Sequence, residues 1–425
     1  MILSNITVPL LGLVDTAVIG HLPHSYYLGA TAVGAMMITA ITWLCGFLRM
    51  STTGLAAQAL GSENSEQNLL ILLRGLFVAL TLGFAFIAIQ QLYIDVSLTL
   101  SGASEQVKFY ARQYSEIRIW GLPASLANLV ILGWLLGNHK AKWVMWLLIA
   151  TNLLNLMLDL VFVVIFKWQV AGVAYASIIA EYFAFFLGLM AIFYSHKALL
   201  TRLTTATVQI LKKIVSKAEL ASYFKLNRDI LIRTLCLEIC FIFITFQGAR
   251  LGDNIVAANA ILLNFLLLIS FGLDGIANAA EAMVGKAKGQ NNQQALQVTV
   301  KIALFWTAIF AMIYSLFFAL FGEQIIALMS SIAEVVNFAN HYLFWIVLLP
   351  IIACWCFLFD GVYIGLMQAS VMRNSMIIAT FGVFFPAWFL LQSFGNHGLW
   401  AAFLLFMLTR GISLAWHYYR YNNPT

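Results

Sequence analysis

The sequence predicts an all-α polytopic membrane protein, with twelve transmembrane helices in two six-helix lobes related by a pseudo-two-fold axis along the membrane normal. Three observations carry this. Charged residues make up 9% of the 425-residue chain and hydrophobic residues 62%, whereas a soluble domain has about 25% charged residues. Apolar runs long enough to cross a ~30 Å core as helices of about 20 residues recur from end to end, and the alternating ten-residue segments of a membrane barrel are absent. Finally, the second half repeats the first.

Taken in order, the apolar runs predict spans at 1–20, 30–60, 69–92, 107–136, 142–166 and 170–195, then 227–250, 255–285, 298–321, 337–367, 372–393 and 397–419. The first six form an amino-terminal lobe over 1–195 and the last six a carboxy-terminal lobe over 227–425. Between them, 196–226 is the longest polar interval, and its Ile210, Leu211, Ile214, Val215 spacing suggests an amphipathic helix on the inner membrane surface. The halves correspond at offsets of 227 to 228: Pro123 matches Pro350, Gly133 matches Gly361, Gly137 matches Gly365, and LGATAVG at 28–34 meets VAANAIL at 256–262. AAQALG at 56–61 resembles AAEAMVG at 279–285 with one residue inserted, which pairs Gln58 with Glu281. An even number of spans per repeat gives both copies the same orientation and puts the site between or within the lobes.

Most of the 23 basic residues fall in breaks on one face, which the positive-inside rule makes cytoplasmic, with both termini inside. The opposite face holds Lys108, Arg112, Arg118, Lys167 and Arg250, and Arg49 lies within a span. The net charge of +6 follows from this bias toward anionic lipid and does not imply nucleic acid. The five cysteines all sit in apolar spans as small hydrophobes. No constellation offers a membrane-embedded nucleophile or metal centre, so an enzyme is not expected, and nothing requires an oligomer or a cofactor.

Two carboxylates lie inside hydrocarbon-length runs of the first half, Asp15 in ITVPLLGLVDTAVIG and Asp159 in LIATNLLNLMLDLVFVVIF. An ionised group at the bilayer centre costs roughly 2.5–3.5 kcal/mol on insertion scales, so such a residue usually lines a cavity or exchanges a cation. Asn155 and Asp159 share one helix face at i, i+4, and Ser177 on the next span adds a hydroxyl. Together they make a hard-oxygen set for a small cation; two close carboxylates would equally hold a proton. The repeat pairs Asp15 with Phe243, so the amino-terminal lobe should own this site. A second polar set, Glu238, Asp274 and Asp360 with Glu281, lies in the other half as a second cation site or as lobe-packing groups.

NITVPLLGLVDTAVIGHL, FLRMSTTGLAAQALG, FGLDGIANAAEAMVGKAKG and FDGVYIGLMQASVMRNSM resemble the characteristic segments of the DinF branch of the multidrug and toxic compound extrusion (MATE) transporters. The resemblance covers essentially the whole chain. It implies a bacterial inner-membrane antiporter that exports small organic, often cationic, compounds in exchange for H⁺ or Na⁺. It further implies that Asp15 is the first-helix aspartate whose protonation or ion contact is tied to substrate release. Asn155 and Asp159 match the fifth-helix pair and Ser177 a sixth-helix hydroxyl residue. Asn128 matches a cavity-lining asparagine more weakly, and Asn5 lies on the first helix toward the lobe interior. The family's first helix begins well before Asp15, with a proline about fifteen residues ahead of it, so the resemblance also implies a start upstream of Met1. The other reading is a lipid-linked precursor flippase of the same superfamily. A basic interior would favour it, and few interior Lys or Arg besides Arg49 are expected.

Overall fold

A computed structural model describes residues 25–195, 216–330 and 332–422. The first predicted span, with Asn5 and Asp15, and the predicted surface helix near 210–215 lie outside the described residues. Among the described residues, ten helices are long and apolar enough to cross a membrane, and the predicted seventh span falls within a further one.

Two compact units divide the chain after Phe224. In the first, α1 (Ser25–Leu44), α2 (Phe47–Gly61), α3 (Ser65–Ala88), α4 (Gln90–Leu100), α5 (Glu105–Arg118), α6 (Leu122–Gly137), α7 (Ala141–Asp159) and α8 (Gln169–Ser195) follow one another. The central element is α6, which packs on α2, α3 and α8 and buries both apolar bulk and small residues, among them Trp134, Leu135 and Gly133. Trp134 donates its indole N–H to the Asn68 carbonyl at 3.0 Å, so this large ring is buried without stranding its donor.

The second unit is built from most of α9 (Lys217–Leu251), with α10 (Asp253–Gly289), α11 (Gln293–Met329), α12 (Ala333–Gly365), α13 (Ala369–Ile377), α14 (Phe385–Leu391) and α15 (Asn396–His417). Here α12 is central, against α10, α11 and α15. Asn259 and Asn396 exchange amide hydrogen bonds at 2.8 and 2.9 Å, and Trp400 donates to Asn259 at 2.9 Å. This closed polar set ties α10 to α15 in a setting where an open polar group would be costly.

A shift of 228 residues relates the two units locally. It carries the capping pair Asn64–Gln67 onto Asn292–Ala295, both with a 2.9 Å side-chain bond to a backbone N–H. The same shift takes the left-handed residues Glu63, His139 and Lys167 to Asn291, Met367 and Gly395. It also takes Gly133, pressed on the Arg49 carbonyl, to Gly361, pressed on the Ala277 carbonyl. A side chain at either glycine would collide with backbone, which fixes the helix register. Gly137 lies on the Thr53 carbonyl and Gly365 on that of Glu281. The counterpart of Glu281 is therefore Thr53, not Gln58: the similarity of AAQALG to AAEAMVG is displaced from the structural repeat.

Candidate functional site

The helix α7 turns most of its surface outward. Its buried residues are Leu147, Asn155 and Asp159, one stripe at multiples of four residues. Two of the three are polar. Asn155 is 2% exposed and Asp159 fully buried, and among the described residues neither amide atom of Asn155 has a hydrogen-bond partner. At Asp159 the α-helix gives way to a π-helical stretch, Leu160–Ile165, a wide turn that is frequent at functional sites.

Ser177 lies half-buried on α8, which packs against α7. At 1.5 Å rise per residue, Asp159 is about 9 Å from the end of the π stretch and Ser177 about 12 Å from the start of α8, so the two occupy similar depths. Four residues on from Ser177, Glu181 receives both terminal nitrogens of Arg118 at 2.9 Å. Asn128 donates to the Glu181 backbone carbonyl at 2.9 Å, and its side-chain oxygen is buried with no partner among the described residues. Gly121 leaves room for this pair, because a β-carbon there would strike the Glu181 carboxylate.

The Arg118–Glu181 pair was missed by the sequence reading, which put Arg118 on the outer face. Arg118 instead ends α5, about 20 Å along that helix, with its side chain 12% exposed. A signal was present: one basic and one acidic residue, each inside a predicted span. What was missing was any reason to pair residues 63 positions apart.

In the carboxy-terminal unit, Asp360 accepts from Arg410 at 2.7 Å and from Arg233, both on the same oxygen. All three are buried. A carboxylate already clasped by two guanidinium groups is a poor site for a small cation. Glu238 on α9 and Asp274 on α10 are half-buried, and neither joins that clasp in the described contacts. The interior thus holds Arg118, Arg233 and Arg410, more basic groups than the sequence suggested, each facing a carboxylate.

The matched positions show how the halves diverged. Shifting by 228 turns Asn155 and Asp159 into Val383 and Ala387; it turns Asp360 into Leu132 and Arg410 into Tyr182. Each unit carries its own polar set on a common backbone.

Comparison with known proteins finds the MatE family model matching residues 1–161 and 230–389. The chain is 43% identical over 415 residues to the DNA damage-inducible protein F of Escherichia coli K12, covering 98% of this chain and 89% of that one. It is 25% identical over 425 residues to Protein DETOXIFICATION 44, chloroplastic, of Arabidopsis thaliana, covering 96% and 78%. Among solved structures, an outward-facing multidrug resistance MATE family transporter of the MOP superfamily matches with a TM-score of 0.86 at 18% identity, covering 99% and 93%. A MOP superfamily transporter from Pyrococcus furiosus matches with the same score and coverage at 19% identity.

Proposed function

We infer, for a chain that belongs to the MatE family of multidrug and toxic compound extrusion transporters, that it exports small organic compounds across the bacterial inner membrane by antiport, using a cation taken up in its amino-terminal lobe. The family is one of transporters, not enzymes. The observation that carries the cation site is the stripe of α7: on a helix otherwise turned outward, an asparagine and an aspartate are buried together and lead into a π turn. A cation bound by Asp159, Asn155, Ser177 and Asp15 would remove the negative charge from that stripe. The repacking this allows on either side of Leu160–Ile165 would alter substrate affinity. Coupling requires only that cation and substrate favour different states.

The ion is H⁺ or Na⁺, the substrate an organic cation or toxic metabolite, and the working unit a monomer with both termini cytoplasmic. A cation entering down the membrane potential contributes ~2.3 kcal/mol per 100 mV, enough for tens-fold accumulation. The flippase reading gains little from the buried arginines, because Arg118, Arg233 and Arg410 each already engage a carboxylate. The test is dye efflux from energised cells lacking their own pumps, with ethidium or rhodamine as substrate. Asp15→Asn and Asp159→Asn should each abolish export at equal membrane content, and full export by either would remove the proposed site.

A further inference from the structure

At the end of the carboxy-terminal unit away from the Arg373 and Arg410 face, a three-member hydrogen-bond chain joins α12 to α15. Trp345 donates its indole N–H to His397 Nδ1 at 3.0 Å, and His397 Nε2 lies 2.9 Å from His341 Nε2. An indole can only donate, so the direction of the whole chain is fixed. His397 must accept at Nδ1 and carry its proton on Nε2, and His341 must accept at Nε2. Both imidazoles are therefore neutral when the chain is intact.

We propose that Trp345, His397 and His341 form a proton-binding latch at the outer end of the carboxy-terminal lobe, closed when both rings are neutral and opened by the first proton. A proton added to His341 goes to Nε2, its vacant nitrogen, where it meets the N–H of His397. A proton added to His397 goes to Nδ1, where it meets the indole N–H. Tautomer exchange in His397 would relieve the first clash, but Trp345 blocks it. The bonded form holds fewer protons than the open one, so the latch holds at alkaline outer pH and is lost as pH falls. His341 is exposed and His397 half-buried, and both lie near the starts of their helices, α12 and α15.

The same logic disfavours a metal ion, since an imidazole ligating through Nε2 keeps its proton on Nδ1, facing the indole donor. The other titratable or charged groups at this end are Tyr342, whose ring centre lies 4.8 Å from that of His397, Glu334, which accepts from Asn254 of α10, Glu323 near the end of α11, and Arg250 near the end of α9. Among the described residues none of them is hydrogen-bonded to either imidazole. The latch is independent of the amino-terminal stripe, and its test needs no transport.

The experiment is amide hydrogen exchange of the intact protein in lipid nanodiscs between pH 8 and 5, corrected for intrinsic rates and read over residues 336–346 and 396–402. In the parent, protection of these turns should fall about ten-fold across the range. In the His341→Gln/His397→Asn double variant it should be independent of pH. Trp345→Phe keeps both rings but frees their polarity, letting the pair share the first proton without parting, so its loss of protection should wait for the second proton and begin at lower pH than in the parent. A flat parent profile, a pH-dependent fall that persists in the double variant, or an unshifted Trp345→Phe profile would each overturn the latch.

Discussion

At the scale of single residues, Asp159 is fully buried, where an ionised group is costly. Its helix buries only Leu147 and Asn155 besides it. Asp159→Asn keeps the shape and removes the charge, so we expect normal membrane content with dye efflux reduced at least ten-fold, read by fluorescence in pump-deficient cells. Arg118 and Glu181 pose a different problem. Breaking a buried pair leaves one charge uncompensated and costs roughly 3–5 kcal/mol, while replacing both partners by apolar groups is often neutral. Glu181→Leu or Arg118→Leu alone should therefore lower the unfolding midpoint in detergent sharply. The Glu181→Leu/Arg118→Leu double variant should recover most of the loss, and additive losses would show that the pair is not coupled. A pair that recovers stability but not export would belong with the transport machinery.

At the scale of elements, the repeat places the same devices at the same turns. Asn64 and Asn292 each cap a long helix, α3 and α11, and losing such a cap costs about 1 kcal/mol. Asn64→Ala and Asn292→Ala should lower the unfolding midpoint by similar amounts. An unequal effect would show that the two turns are loaded differently despite their matched geometry. The π stretch after Asp159 makes a sharper prediction: deleting Val161 should restore α-helical winding, because the wide turn holds about one residue more than an α turn, and so remove the turn while leaving its flanks in register. Insertion should survive while export is lost.

Apart from the first, which lies outside the described residues, the spans were legible from sequence because length and hydropathy are properties of one segment, and so was the shared face of Asn155 and Asp159, which follows from helical pitch alone. The breaks inside spans were not legible. The chain turns at Cys45–Gly46 between α1 and α2, and because the run 30–60 is apolar on both sides of that turn, hydropathy alone does not mark it. The Arg118–Glu181 pair and the clasp on Asp360 depend on which helices become neighbours, information that no single segment holds. The Gln58–Glu281 pairing failed for the converse reason: local similarity pointed one way and backbone contacts at Gly137 and Gly365 another.

At the scale of the whole molecule, one backbone plan carries two opposite electrostatic solutions. The amino-terminal unit buries Asp159 on one stripe with Asn155, whose amide has no hydrogen-bond partner among the described residues, and the site proposed there changes its charge when a cation binds. The carboxy-terminal unit buries Asp360 under two arginines, an arrangement that holds its charge fixed. If that contrast is functional, the two sites should respond differently to removal. Asp360→Asn alone should destabilise strongly, because Arg233 and Arg410 would stay buried without their counter-charge. Removing all three charges in Asp360→Leu/Arg233→Met/Arg410→Met should restore unfolding stability and, with it, export. In the amino-terminal unit no apolar replacement should restore export, since a site that neutralises on cation binding cannot be replaced by one that is always neutral. Efflux and unfolding midpoints measured in parallel on these variants separate the two cases. Export restored by the carboxy-terminal triple variant would mark the clasp as structural, and a stable triple variant without export would give that lobe a direct part in transport.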